Sequence, residues 1–119
     1  PRFEPGPGSG AARLARGAVD ALLLVTPPDA SAAWPDALRR AVARVPTVVV
    51  DVRDSEVARG ARAAIFVAPP ATGAVATLTR MDGITLRARP PWPDPRPRDA
   101  AVLRRLARRV ATLRGGSGG

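Results

Sequence analysis

The segment TVVVDVRDSEVARGARAAIFVAPP, residues 47–70, carries the pattern that decides the fold class. It opens with a β-branched run that favours a buried strand, and Ser55 then begins a short helical turn that its side chain can cap. A second apolar run, Ala64–Ala68, predicts a further buried strand that ends at Pro69 and Pro70, which cannot donate to a ladder of hydrogen bonds. A strand, a helical turn and a further strand in this order are typical of an α/β protein.

Another strand and helix precede this segment. Val19–Val25 is almost wholly apolar and is soon followed by two prolines, which predicts a strand buried on both faces. A helix is predicted next, beginning at Trp34 and burying a stripe of Leu38, Val42 and Val45. We expect the strands on either side of this helix to be parallel, with a right-handed crossover, in a three-layer α/β arrangement with a mainly parallel sheet.

The N-terminal residues are predicted to form a loop and a short helix. Residues 1–10, PRFEPGPGSG, are rich in proline and glycine, and Phe3 could reach the core from this loop. A helix is expected between Ser9 and Gly17, where glycine tolerates the left-handed conformation at a helix end. Pro1 is not an initiator residue, so we expect the chain to be a piece of a longer product.

Residues 76–92, ATLTRMDGITLRARPPW, predict a hairpin because two alternating runs flank Asp82-Gly83. A two-residue turn at this point would pair Met81 with Ile84, Thr79 with Leu86 and Thr77 with Ala88. These pairs would form a mostly apolar face. The opposite, basic face would carry Arg80, Thr85, Arg87 and Arg89.

A proline-rich strap and a last helix complete the chain. Residues 90–98, PPWPDPRPR, are predicted to be extended, because each proline removes a donor and restrains the residue before it. Asp99 is expected to cap the helix. Its apolar stripe consists of Val102, Leu103, Leu106, Val110 and Leu113, and its arginines point elsewhere. Residues 115–119, GGSGG, have the composition of a flexible linker.

The composition excludes several kinds of chemistry. Cysteine and histidine are both absent, which excludes disulfides and thiolate nucleophiles and removes the commonest zinc ligands and the usual general base. Catalysis would have to use carboxylates, hydroxyls or arginines. The sequence contains neither an apolar run of transmembrane length nor a signal-peptide pattern, so we expect a cytoplasmic protein.

The charge favours an anionic partner. The formal net charge is +9, and every one of the 19 basic residues is arginine. The arginines are scattered, however, and aromatic residues, on which bases could stack, are only 3% of the chain, so a nucleic-acid-binding domain is an alternative rather than the first hypothesis. Richness in Ala, Arg, Gly and Pro from coding bias, with arginine on solvated helix faces, explains the charge equally well.

Carboxylates are expected at the edge of the sheet where ligands of open α/β proteins bind, beyond the carboxyl ends of the strands. The aspartates there are Asp29, Asp51 and Asp54. Asp51 could accept a ribose hydroxyl, cap a helix or pair with Arg53 at the surface, and Asp51 and Asp54 could form an acid/base pair in a cleft.

Other motifs give no complete site. The glycine fingerprint of a dinucleotide site is replaced by TPPDAS after the first strand, and Gly6–Gly10 resembles a phosphate loop but has no preceding strand and no lysine. Ser55 and Thr72 have no histidine to activate them. The residues therefore compose no active site.

Four segments together carry a resemblance to a known family: PRFEPG, LARGAVDALLLV, VPTVVVDVRDSEVARGARAAIFVAPP and TLTRMDGITLRARPPWP. Their order through residues 1 to about 113 resembles the C-terminal part of the molybdopterin-oxidoreductase-like subunit of formylmethanofuran dehydrogenase, and of its counterpart in the bacterial formyltransferase/hydrolase complex. The RMDG motif followed by an apolar strand is the most specific of these similarities.

The resemblance implies a single Rossmann-like domain over residues 1–114, the C-terminal lobe of a larger polypeptide, followed by a flexible tail over residues 115–119. In the dehydrogenases that polypeptide holds a tungsten or molybdenum pterin. In the complex of methylotrophic bacteria, formyl passes from formyl-tetrahydromethanopterin to a methanofuran-type carrier and leaves as formate, in one-carbon metabolism. The partners implied are the formyltransferase subunit and the amidohydrolase-like subunit, which do the chemistry.

Two departures from the family pattern predict that this chain has lost its pterin contacts. Residues 73–77 are GAVAT where the family usually has Glu-x-x-Gly-Thr, and the turn after the first strand is TPPD where a Ser-Asp-Pro-like turn is usual. Both changes remove polar or glycine positions suited to close approach by a ligand. We therefore expect a scaffold subunit with no catalytic, cofactor-binding or metal-binding residue of its own, and a pterin-binding subunit is the alternative.

The expected partner contacts are Arg80, Arg87, Arg89 and Trp92, because Arg and Trp are over-represented among interface anchors. Trp92 could equally cap the core. A further hypothesis is that the positive charge at Arg87 and Arg89 attracts the polyglutamate tail of a methanofuran-type carrier.

Overall fold

The computed structural model describes Gly6 and residues 8–26, 39–40 and 42–116. They belong to two compact units, Pro1–Ile65 and Phe66–Gly119. The single domain expected over residues 1–114 and the flexible tail expected over residues 115–119 stay predictions. Phe3, Asp29, Trp34 and Leu38, for which the sequence predicts roles, lie outside the described residues.

The described chain contains three helices and five strands. The elements are α1 (Gly10–Ala15), β1 (Leu22–Val25), β2 (Thr47–Asp51), α2 (Glu56–Gly60), β3 (Ala63–Phe66), β4 (Ala76–Thr79), β5 (Thr85–Ala88) and α3 (Asp99–Gly115). The predicted α/β class is confirmed: strands β1 to β3 form one sheet, β4 and β5 form a hairpin, and a helix follows at the C-terminal end.

Strand β2 lies at the centre of the sheet, in the order β1-β2-β3. It runs parallel to β1, as predicted, with Leu22 opposite Thr47 and Val25 opposite Val50. Because its neighbours cover both of its edges and Val49 and Val50 are fully buried, β2 is the strand around which the core of this unit forms.

Strand β1 is not buried on both faces, so that prediction is wrong. Its side chains alternate between half-buried and exposed, and Leu23 and Val25 remain 49% and 45% exposed. An apolar run reports hydrophobicity, but it does not report which face of a sheet is covered. The exposed residues alternate with half-buried ones, so one face of β1 is in contact with solvent.

Strand β3 is also less buried and earlier than predicted. It covers Ala63–Phe66 instead of residues 64–68, and Ala63 and Phe66 are exposed. The buried residues are Val67 and Ala68, which follow the strand. The prolines at positions 69 and 70 therefore end the apolar run, but the strand itself has already ended.

The predicted short helices are confirmed. Ser9 caps α1, with its hydroxyl accepting from the backbone N–H of Ala12 at 3.2 Å, and Gly17 follows with a φ of +70°. Ser55 caps α2 in the same way, through the backbone N–H of Ala58 at 3.1 Å.

The hairpin is confirmed, but its predicted register is wrong by one residue. Thr79 pairs with Thr85 and Leu78 with Leu86. The loop is therefore Met81-Asp82-Gly83, and Gly83 adopts the left-handed conformation, with φ +84°, that commonly closes three-residue hairpin loops.

The register decides which side chains share a face, because a shift of one residue moves one strand's side chains to the other side. Leu78, Ile84 and Leu86 lie on one face, and we call them the hairpin apolar face. Ala76 and Ala88 lie on the same side of the hairpin. Arg80 is on this face as well, opposite Ile84. The other face carries Thr77, Thr79, Thr85 and Arg87.

Helix α3 begins one residue earlier than predicted. Asp99 is its first residue, the extended residue Arg98 is the N-cap, and the Asp99 carboxylate accepts from the N–H of Ala100 at 2.6 Å. The prediction that Asp99 is the cap is wrong, although a carboxylate in the first turn still suits the helix dipole. No helix among the described residues has the length and hydrophobicity that crossing a membrane requires.

We expect Val49→Ala to lower the free energy of unfolding by about 2 kcal/mol, because it leaves a cavity in the central strand. Leu23→Ala removes more atoms but from a half-exposed position, so it should cost less than about 1 kcal/mol. Urea unfolding of both variants checks this order. Equal losses would mean that β1 is as buried as β2.

Candidate functional site

The carboxyl ends of β1 and β2 meet at one edge of the sheet, where the sequence places candidate ligand-binding aspartates. Thr26 follows β1, and both its backbone N–H and its hydroxyl donate to the carbonyl of Val50, at 3.0 and 3.3 Å. Asp51 ends β2, and Thr26 and Asp51 are both buried. The polar residues at this edge, Thr26 and Asp51, are therefore buried in the fold and not open to solvent.

The carboxylate of Asp51 is held by its own chain. Its Oδ1 accepts from the backbone N–H groups of Val52 and Arg53, at 2.7 and 3.3 Å, and its Oδ2 accepts from the hydroxyl of Ser55 at 2.6 Å. Ser55 in turn accepts from the N–H of Ala58 and so caps α2. Of the roles considered from the sequence, this arrangement fits the support of a helix cap, and it fits neither a surface ion pair nor a free ribose acceptor.

Burial alone would raise the pKa of Asp51, but the hydrogen bonds it accepts outweigh that effect. Donation from the Ser55 hydroxyl and from the N–H groups of Arg53 and Val52 lowers the pKa of this carboxyl below its ordinary value of 3.8. Asp51 is thus a stable anion at neutral pH, whereas a general acid needs a raised pKa.

Asp51 and Asp54 have separate partners. The side chain of Asp54 is largely exposed and lies 3.5 Å from the guanidinium of Arg59. Asp51 is buried against Ser55. The acid/base pair suggested by the sequence is not assembled, and among the described residues no group of three or more His, Cys, Asp or Glu side chains could hold a metal ion.

In the second unit, the proline-rich strap is fastened to the loop before β4. The N–H of Asp94 donates to the carbonyl of Gly73 at 2.9 Å, and the N–H of Ala68 donates to the carbonyl of Pro97 at 3.0 Å. A Cβ atom at position 73 would lie 2.7 Å from Pro69 and 2.9 Å from Asp94, so only glycine fits there. The sequence signal for this contact is the glycine after the two prolines, which reasoning from the family pattern alone missed.

Asp94 and Arg96 lock the strap with a bidentate pair. Arg96 Nη2 donates to Asp94 Oδ2 at 2.6 Å, and Arg96 Nε donates to Oδ1 at 2.9 Å. The hydrogen bonds from the Arg96 side chain and backbone, aided by its charge, lower the pKa of Asp94 to about 2. The pair is a structural clasp that the sequence did not single out.

The four expected partner contacts differ in their surroundings. Arg80 pairs with Asp82 at 2.7 Å across the hairpin loop, while Arg87 and Arg89 are exposed. Trp92 is 78% exposed, so the alternative that it caps the core is wrong. The role of these residues as contacts stays a prediction.

Comparison of the sequence with models of known protein families gives no match, and a search of curated proteins gives none either. The resemblance drawn from the sequence therefore stays a prediction. The exposure of apolar side chains bears on whether the chain has a partner. The hairpin apolar face is about half exposed, and exposed apolar surface is a feature of sites that contact a partner. Met81 in the hairpin loop and Trp92 in the strap are fully and largely exposed as well.

We expect Ser55→Ala to destabilise the protein by about 2 kcal/mol, because it removes the cap of α2 and also leaves Asp51 without a hydroxyl donor. Ser9→Ala is the matched control. It removes a single cap bond from α1 and should cost about 1 kcal/mol. Equal losses in urea unfolding would show that the bond from Ser55 to Asp51 contributes nothing.

The Asp94–Arg96 clasp predicts a specific dependence of stability on pH. Because the pKa of Asp94 is lowered when the protein folds, its contribution is fully present above pH 3.8 and is lost as the pH falls from 3.8 to about 2. Asp94→Asn should remove this part of the acid loss, whereas Asp54→Asn, at a largely exposed position, should keep it. Thermal unfolding between pH 2 and 5 measures the difference, and identical curves for wild type and Asp94→Asn would contradict the clasp.

Proposed function

We propose that the chain is a non-catalytic structural component of a formyltransferase/hydrolase complex of one-carbon metabolism, acting in the cytoplasm. In that complex formyl passes from formyl-tetrahydromethanopterin to a methanofuran-type carrier and is released as formate. The chain would contact the formyltransferase subunit and the amidohydrolase-like subunit without supplying reacting groups. The exposed hairpin apolar face supports a structural role. The choice of this complex rests on the resemblance of the four sequence segments.

Exposed leucine and isoleucine favour a protein partner on energetic grounds. Burial of an aliphatic side chain yields about 1.5–3 kcal/mol, so three half-exposed residues on one face offer a substantial part of that energy to a partner surface. Trp92 in the strap is 78% exposed, and tryptophan is one of the residue types enriched among the residues that contribute most to binding at interfaces. These features support packing against other subunits.

The hydrogen bonds of Asp51 support a role without chemistry of its own. Ligands of open α/β sheets bind at the edge where Asp51 lies, and acidic residues there usually contact them. In this chain the carboxylate is buried and accepts from Ser55 and two backbone N–H groups, so it serves the fold.

Two alternatives remain from the sequence: a pterin-binding dehydrogenase subunit and an arginine-rich nucleic-acid-binding domain. The first would bring a pterin and tungsten or molybdenum with the purified chain. The second would bind any duplex with a steep dependence on salt. The arginines are the feature that favours nucleic acid, and among the described residues four of them are already paired with carboxylates: Arg39, Arg59, Arg80 and Arg96.

Native mass spectrometry of the chain purified gently from its own cell tests the proposal. We expect co-migration with formyltransferase and amidohydrolase-like subunits and no pterin mass. A lone monomer, a bound pterin or bound nucleic acid would contradict it.

A paired set of variants links the result to the hairpin. Leu78→Thr with Leu86→Thr keeps β propensity but removes apolar surface from the hairpin apolar face, and it should weaken co-migration about tenfold or more. Thr77→Ala with Thr85→Ala changes the opposite face of the same hairpin and should leave co-migration unchanged. Equal effects of the two pairs would show that the hairpin apolar face is not the contact.

A further inference from the structure

The second half of α3 leaves its apolar stripe uncovered. Val102, Leu103 and Leu106 in the first half are partly buried, whereas Val110 and Leu113 are 51% and 62% exposed. The helix continues through Gly115, so these two residues lie on ordered helical surface. We call Val110 and Leu113 the distal stripe.

The stripe has the spacing of a coiled-coil seam. Leu103, Leu106, Val110 and Leu113 are separated by three, four and three residues, which is the alternation of a and d positions in a heptad. On this assignment Arg109 occupies a g position and Arg114 an e position. With a rotation of about 100° per residue, each arginine lies about 70° from the centre of the distal stripe, on opposite sides of it. The distal stripe is therefore bordered by a cation on both sides.

These two arginines are available for a partner. Both are exposed, and among the described residues neither forms an ion pair. Residues 66–119 contain ten arginines and three aspartates, a formal charge of +7. Two of those aspartates pair with Arg80 and Arg96, and the third is at the other end of α3. The aspartates of this unit thus leave no carboxylate for the end of α3 that carries the distal stripe.

We propose that the distal stripe docks an acidic amphipathic helix of a partner protein, with apolar residues at a and d and glutamate or aspartate at e and g. Apolar side chains would pack in the seam, and the flanking carboxylates would pair with Arg109 and Arg114. This inference rests on the proposed function in assuming a protein partner, and it adds the surface and the chemistry of that partner.

Charge also decides against a second copy of this chain. In a parallel pair of α3 helices, the g residue Arg109 would face the e residue Arg114 of the partner copy, five positions further on. In an antiparallel pair, Arg109 would face Arg109. Like charges meet in both arrangements, whereas an acidic helix turns each of these contacts into an attraction.

The test uses the full chain labelled with ¹⁵N and a synthetic helical peptide with leucine at a and d and glutamate at e and g. Titration followed by amide chemical shifts should show changes concentrated in residues 109–116. A peptide with lysine at e and g should bind at least about tenfold more weakly, because its charges repel the arginines. Equal binding of both peptides, no binding at millimolar peptide, or shifts confined to the hairpin would overturn the proposal.

Matched variants distinguish pairing beside the distal stripe from a general attraction to the positive charge of the chain. Arg109→Gln with Arg114→Gln should weaken binding of the glutamate peptide about tenfold. Arg104→Gln with Arg108→Gln removes the same charge from the outer side of α3 and should change binding less than about twofold. Equal losses would mean diffuse attraction and would overturn the proposal. Circular dichroism checks that both variants keep α3.

Two further measurements test other occupants. Binding to phosphatidylglycerol vesicles through Leu113, without binding to the glutamate peptide, would overturn the proposal and show that the distal stripe binds a membrane surface. Dimerisation abolished by Leu113→Ser would replace it with a second copy. If the chain binds the peptide but does not co-migrate with formyltransferase subunits, the proposed complex fails and the docking surface stands. If it co-migrates with them but ignores the peptide, the docking surface fails and the complex stands.

Discussion

The parallel sheet depends on the burial of β2, a strand whose two ends are polar and fully bonded. Thr47 begins the strand, and its hydroxyl lies within hydrogen-bond distance of two carbonyl oxygens, those of Val45 at 2.9 Å and Val42 at 3.1 Å. Asp51 ends it and accepts from Ser55 and from two backbone N–H groups. An unpaired buried polar group costs about 1–3 kcal/mol, so these bonds fix where the strand can begin and end. The same bonds place the start of α2.

The constraint at Asp51 also shapes what the edge of the sheet can do chemically. If the Asp51 carboxylate bound a ligand, it would have to break the hydrogen bonds that support the cap of α2, and the protein would lose stability. Asp51 is therefore poorly suited to bind a ligand. The second unit uses the same strategy in its strap, where Asp94 holds Arg96 and its backbone contacts Gly73. The carboxylates of Asp51 and Asp94 thus both serve the fold.

The surface is therefore where the chain offers binding energy. The hairpin apolar face and the distal stripe of α3 each expose aliphatic side chains, and arginines lie close to both in sequence. Apolar surface supplies affinity, while the sign of the flanking charge selects among partners and excludes copies of the same chain. In the proposed complex, this division would give a small chain that is rich in arginine a defined partner.

Local features of the sequence determined the elements of this protein. Ser9 and Ser55 cap helices, prolines interrupt regular structure, and the β-branched run of β2 forms a buried strand, because each effect acts over a few neighbouring residues. Only the tertiary structure decided the exposure of β1, because a run of apolar residues does not specify whether one face or both faces of a strand are covered. It also decided the hairpin register, because loops of two and of three residues both fit the sequence around Gly83 and only cross-strand pairing selects one. The tertiary structure also decided the role of Asp51, because burial at the end of β2 rules out a surface ion pair and leaves the carboxylate to its local donors.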